Sequence, residues 1–397
     1  MKPVWLVSAW LVAASANNAV AQWEDDLHPS GYWKILALAA DSPKGVTAQA
    51  LTLANPTSER HDPQLDLFNR LVVRWRIGLT GDLTLLAQIE ADADLGHSAE
   101  NRSVLFAEPR GSASWLALDA TPIKNRHIWV RCAINRLSLK RYLSWGTITL
   151  GRQRMAWGSG RVWNPTDLFN PLDPVSIDPG EKRGADALMI DRSWGIVSGL
   201  TFAATGGDSV EAMRVAARFR GKRNTYDWFL MGGYFADKWV FGADISGYLG
   251  DAGLRMEGTN TDDGDDRSVQ LVLSCDYTFV FGGRTLYLLE EAFTHSGGVW
   301  GAPQTSDWAA VSTGDRLMVG RLYNHVSGTL QLNPLWSAAL ITVTNLGDRS
   351  VYVSPSLAWA VTQNAEWTAG GQIGFGSAET EYGQLSGTAY LQARWFF

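Results

Sequence analysis

Beyond its first two dozen residues this chain has no long apolar run: nothing approaches the roughly 18 consecutive apolar residues of a membrane-crossing helix. Helical membrane spans are thereby excluded. Strong charge is missing too. The formal net charge is −6 over 397 residues, a mild acidity that does not suggest a nucleic-acid partner. No nucleotide-binding loop, CxxC pair or HExxH helix is present, so neither a cofactor nor a metal is expected. Histidine is sparse, at His28, His61, His97, His127, His295 and His325. The neighbours His61-Asp62, His97-Ser98 and His295-Ser296 face opposite sides wherever they lie on a strand, and nothing supplies a recognisable third member. The chain reads as a non-enzyme. Cysteine is nearly absent, with Cys132 and Cys275 alone.

What is present is alternation. Leu83, Leu85, Ala87, Ile89 and Ala91 oppose Thr84, Gln88, Glu90 and Asp92, and Trp367, Ala369, Ile373 and Phe375 oppose Glu366, Thr368 and Gln372. Strand-like segments of this kind recur from residues 32–39 to 386–397, about 18 in all. The 40 Gly suit tight turns and close-packed strands, and the 19 Trp suit the interfacial girdles of a membrane protein. Every second connection is short and rich in Gly or Asn, as at 80–82, 193–195, 221–224 and 282–283. The intervening ones are longer, near 39–68, 93–125, 155–184 and 295–315. Short turns alternating with long loops, and an even strand count, describe an all-β, transmembrane antiparallel barrel of about 18 strands, with 16 as the alternative. Mean hydropathy of −0.10 fits, because lumen-facing residues dilute the lipid-facing ones. Ile128, Val130, Cys132 and Ile134 share a face, as do Val269, Leu271, Leu273, Cys275 and Tyr277. Both cysteines are therefore expected as free thiols facing lipid, too far apart to pair.

The ends carry the next signals. Lys2 precedes an apolar segment from Val4 to Ala14, and Ala19-Val20-Ala21 gives a small-x-small cleavage site. Residues 1–21 read as a signal peptide and 22–397 as the barrel. At the other end Ala389, Leu391, Ala393, Trp395 and Phe397 form one apolar face, with Tyr390, Gln392 and Arg394 opposite. In this the chain resembles Gram-negative outer-membrane β-barrel proteins, whose last strand ends in Phe and signals to the assembly machinery. The resemblance implies an outer-membrane location, with Tyr390, Trp395 and Phe397 as the assembly signal. It also implies outer-membrane lipid and lipopolysaccharide, the barrel-assembly machinery and small polar solutes as partners, and admits a homotrimer.

Two constellations bear on function. The block from Leu150 to Pro174 runs a strand with Arg152 and Arg154 into a glycine-rich break and then three X-Pro steps. It resembles the inward loop of porins and a Gly-Arg-Gln…Trp-Gly-x-Gly…Asn-Pro-x-Asp block of porin-like and export barrels. On that reading Trp157, Arg161, Trp163, Asn164, Asp167 and Phe169 form a constriction; the alternative is a loop packed on itself outside. The second constellation is charge opposite the apolar faces: Arg74, Arg76, Glu90, Arg131, Arg152, Arg154, Arg214, Arg218, Asp227 and Asp244. Charges facing lipid are costly, so these should line the pore, with Arg218 opposite Asp227 across the 221–224 turn. They either brace a wet wall or set a transverse field that orients polar and anionic solutes. The run Asp262-Asp263-Gly264-Asp265-Asp266 lacks an EF-hand pattern and reads as a solvated loop. The expected function is a porin-like channel for passive diffusion of small polar or anionic solutes. A structural barrel housing a periplasmic or lipoprotein partner, or a polymer-export barrel, is the alternative.

Overall fold

The computed structural model describes residues 28–41, 62–99, 116–169, 184–206, 212–264, 266–312, 316–385 and 387–397. The proposed leader, and the 42–61, 100–115 and 170–183 portions of the long loops, lie outside the described residues. The strands in chain order are β1 (Ser30–Ala40), β2 (Gln64–Thr80), β3 (Leu83–Gly96), β4 (Asp119–Lys124), β5 (Ile128–Leu143), β6 (Gly146–Gln153), β7 (Ala185–Trp194), β8 (Ser198–Thr205), β9 (Arg214–Arg223) and β10 (Tyr226–Phe235). They continue as β11 (Lys238–Leu249), β12 (Ala252–Asp262), β13 (Arg267–Phe281), β14 (Arg284–His295), β15 (Leu322–Asn333), β16 (Trp336–Asn345), β17 (Ser350–Thr362), β18 (Ala365–Phe375) and β19 (Thr388–Phe396). A short helix, α1 (Thr305–Ser312), lies between β14 and β15.

Eighteen of these strands close into one antiparallel barrel, each paired with its chain neighbours and β19 paired back onto β1. The seam is sealed at its end by reciprocal bonds between Gly31 and Phe397, N–H to O at 2.8 and 3.1 Å. The extra strand, β4, pairs along the part of β5 above the point where β6 has ended. Two-residue hairpins close one rim: Gly282 and Gly283 both take left-handed φ, 54° and 74°, the backbone that a twisted two-residue turn requires.

Alternation sorts the faces. Outward residues such as Leu271, Leu273, Phe241, Leu391 and Trp395 are 45–60% exposed, while inward Val72, Glu257 and Glu291 are at most 1% exposed. So much apolar surface is stable only in hydrocarbon, where burying one such side chain is worth roughly 1.5–3 kcal/mol. Cys132 and Cys275 are free thiols in the outward series, as expected. A bulge in β5 between Ile134 and Arg136 shifts the phase, so Leu137 and Leu139 continue the outward face. Trp336 and Trp359 stack at 5.4 Å on the outward side of β16 and β17, and Trp367, Trp395 and Trp33 carry that belt onward to β1. At the C-terminus Trp395 and Phe397 are about half exposed on the outward face, and Tyr390 points inward beside Gly370.

Candidate functional site

The chain leaves the wall at Gln153 and turns into the barrel. Met155, Trp157 and Phe169 pack on Ala185, Ala187, Ala203 and Ala216 of β7–β9 and on Met231, Phe235 and Val240 of β10–β11. Four alanines on this patch make room for two large rings, which meet edge to face at 5.2 Å. Trp163 reaches a second patch, stacking on Phe293 of β14 at 5.4 Å and lying 6.0 Å from Tyr323 of β15. Between these anchors the backbone is held by two wall carboxylates. Glu257 of β12 accepts the N–H groups of Ser159, Gly160 and Thr166 and the Thr166 hydroxyl, at 2.7–3.1 Å. Glu291 of β14 accepts those of Arg161, Val162 and Trp163, at 2.7–3.1 Å. Such charge-assisted bonds are stronger than neutral ones. Gly158 is required here: its φ is +95°, and a Cβ would sit 2.6 Å from the Glu257 carboxylate. At Gly160 a Cβ would meet the Trp163 carbonyl. Asn164 closes a turn by accepting the Asp167 N–H at 3.0 Å.

The part of the wall formed by β19, β1, β2, β3 and β5 is basic. Arg394, Lys34, Arg70, Asp92 and Arg131 stand in one register row across these strands. Arg70 bonds Asp92 at 2.7 Å and lies 3.8 Å from Glu90, and Arg131 lies 3.6 Å from Asp119. In a neighbouring row Arg74 donates to Gln88 at 3.3 Å, and Arg136 sits in the combined field of Arg74 and Arg154. Tyr32 has the guanidiniums of Arg74 and Arg394 each 5.6 Å from its ring. Arg76 reaches Tyr142 nearer the short-turn rim. On β9, Arg214 donates to the Leu168 carbonyl at 2.9 Å, and Arg218 lies over Phe229 at 3.8 Å and over Trp157 at 5.8 Å. Arg218 also feels Asp244, Glu257 and Asp167.

Three expectations are corrected. Arg152 does not line the lumen. It is 2% exposed, bonded twice to Asp186 at 2.8 Å, and covered by the carbonyls of Ile134 and Leu116. The cause is the strand's phase: Arg152 stands beside outward Leu137, and β6 is about to leave a gap between β5 and β7. Its guanidinium closes that gap together with the Gly184 N–H, which bonds the Asn135 carbonyl directly. Arg218 does not oppose Asp227, because β9 runs on to Arg223 and the turn narrows to Asn224-Thr225. Arg218 stands opposite Met231, Asp227 stands opposite Lys222 at 3.5 Å, and Arg220 takes Asp191 at 2.6 Å. Asp167 is buried toward the wall, whereas Arg161 is exposed. Changing Arg152 to Met should therefore leave ion selectivity unaltered but cost on the order of 3–5 kcal/mol, because Asp186 stays buried without its partner. A cysteine at 154 should react with a water-soluble thiol reagent, and one at 152 should not.

Sequence reasoning missed Glu257, Glu291, Lys34, Arg70 and Arg136. Glu257 was legible, since it shares a face with Arg255 opposite Leu254 and Met256. Glu291 was masked by its neighbour Glu290. In the 262–266 run, Asp262 caps Gly264 and binds Arg267, a local turn.

No family model matches the chain, and no curated protein does. Among solved structures, the fold is similar to a BenF-like porin from Pseudomonas fluorescens Pf-5, at TM-score 0.54 and 12% identity, covering 94% of this chain and 99% of that one. OccK8 (OprE) of Pseudomonas aeruginosa aligns at TM-score 0.53 and 8% identity over 95% and 99% of the two chains. OccK2 (OpdF) of the same species, in complex with glucuronate, aligns at 0.53 and 11% over 95% and 99%. The chain is thus a closed transmembrane β-barrel of 18 strands. Its fold is that of the Gram-negative outer-membrane porins to which it is similar.

Proposed function

We propose that this barrel is an outer-membrane channel for passive diffusion of small polar and anionic solutes, narrowed by the loop that follows β6. A barrel of roughly 16–18 strands encloses an aqueous channel unless something fills it. The observation that carries the reading is the hold of Glu257 and Glu291 on the loop's backbone, which keeps residues 158–166 inside the barrel. With that side of the lumen occupied, the remaining path runs along the basic wall of Lys34, Arg70, Arg74, Arg131, Arg136, Arg154 and Arg394. Anion preference follows from the excess of these cations over the Glu90, Asp92 and Asp119 carboxylates that stand among them, since a narrow low-dielectric cleft with a surplus of one sign concentrates counter-ions. The similar OccK2 was solved with a carboxylate, glucuronate. Residues 1–21 serve as the export leader, with Tyr390, Trp395 and Phe397 in the assembly signal. Deleting residues 160–171 tests the constriction: single-channel conductance should rise in planar bilayers while the barrel stays heat-modifiable. A folded deletion that conducts like wild type would put the narrowing elsewhere.

A further inference from the structure

One apolar ring is turned the wrong way for a watery lumen. On β19 the outward residues are Leu391, Ala393 and Trp395, with Phe397 after them, so alternation turns Arg394 and Phe396 inward. Phe396 stands opposite Tyr32 of β1, whose neighbour Trp33 faces outward. The Phe396 ring is 40% exposed, whereas the inward rings of Phe235, Phe293, Tyr323 and Tyr352 are at most 6% exposed. Those four lie in the two apolar patches that receive the loop, and Phe396 belongs to neither. The lumen of a barrel is ordinarily polar, and an uncovered ring there has no structural partner to bury it.

Cations flank this ring. The Arg394 guanidinium lies 5.8 Å from the Phe396 ring and 5.6 Å from the Tyr32 ring, and Arg74 of β2 lies 5.6 Å from Tyr32. The two rings are 6.3 Å apart, tilted at 60°. In the register row Arg394 has Lys34 on one side and Glu366 on the other. Among the described residues no carboxylate, Glu366 included, lies within ion-pair distance of Arg394, and its Nε is buried without a hydrogen-bond partner. A guanidinium without a carboxylate beside uncovered rings offers two kinds of contact at once. The cation pairs with an acid group, and the rings and the planar guanidinium stack on a flat π face.

We infer that Tyr32, Phe396, Arg74 and Arg394 form a binding site for a planar aromatic carboxylate, at the seam near the short-turn mouth of the lumen. The acid group takes the guanidinium of Arg394, with Arg74 adding charge. The ring of the solute covers Phe396 and Tyr32 and removes their apolar surface from water. A saturated acid of the same size brings the charge without the π face, and a neutral aromatic amide brings the ring without the charge. The site narrows the solute class of the proposed channel and rests on that reading for how the solute arrives. Binding itself is measured without ion flow.

The test titrates benzoate calorimetrically into the full-chain barrel in mild detergent, with cyclohexanecarboxylate and benzamide as controls. Benzoate should bind, and both controls should bind roughly five-fold more weakly. Arg394→Gln should weaken benzoate roughly ten-fold, as loss of a charge-assisted bond does. Tyr32→Leu should bring benzoate and cyclohexanecarboxylate to equal affinity. Should that variant fail to assemble, Arg394→Lys takes its place with the same expected outcome, because it keeps the charge and loses the planar face. In a planar bilayer, benzoate added on the short-turn side should reduce the wild-type current. A wild type that binds benzoate in this way but passes no current upholds the site and sinks the channel reading. No benzoate binding, equal wild-type affinity for benzoate and cyclohexanecarboxylate, or unchanged affinity in Arg394→Gln overturns the assignment.

Discussion

Replacing Glu257 and Glu291 together by alanine is expected to release the loop and raise single-channel conductance toward that of the loop deletion, with the barrel still folded. Four donors rest on Glu257 and three on Glu291. Each buried donor left without a partner costs about 1–3 kcal/mol, so losing both carboxylates outweighs what the loop gains from its aromatic anchors. Once free, Ser159 to Trp163 recover their hydrogen bonds from lumen water. Each single replacement should give an intermediate state with noisy, interrupted current, because one anchor holds while the other end moves. Glutamine at both sites should fall between, since an amide offers only one acceptor oxygen. If the double alanine variant conducts as quietly and as little as wild type, the two carboxylates do not hold the loop.

Neutralising Arg74, Arg136 and Arg154 to glutamine should lower the ratio of anion to cation permeability. Arg136 lies within the field of both Arg74 and Arg154, with Arg154 at the edge where the loop departs. A unit charge about 4 Å from a passing ion in water is worth about 1 kcal/mol, or roughly five-fold in local partition. The effect should shrink as salt is raised, because the screening length falls to about 3 Å at 1 M. Reversal potentials in a salt gradient read this directly. An unchanged ratio at low salt would mean that solutes do not pass along this wall.

Much of the fold was legible because a barrel writes its period into every strand. The outward series of Leu83 to Ala91 and of Val269 to Tyr277 needed nothing beyond alternation, and the short turns gave the even strand count. Legibility failed where the period breaks. The β5 bulge at Ile134–Arg136 shifts the phase, and Arg152 lies on the last turn of pleat before β6 bends inward. Its charge suggested lumen, but a local gap in the wall offered Asp186 and two carbonyls instead. The pairing of Arg218 with Asp227 failed for a related reason, since β9 runs on to Arg223 and the shorter turn moves the partner of Arg218 four residues, from Asp227 to Met231. The loop's inward course was suggested by its Gly, Trp and Pro content. What holds it could not be read, because Glu257 and Glu291 are about 100 and 130 residues away and meet the loop only when the barrel closes.

The central claim is that an open, anion-favouring path runs past the docked loop. Current through the purified wild-type barrel in a planar bilayer, under a salt gradient, tests it most directly. Steady conductance with a reversal potential displaced toward that of the anion is the expected result. A folded barrel that passes no current, or opens only when a periplasmic partner is added, would contradict it.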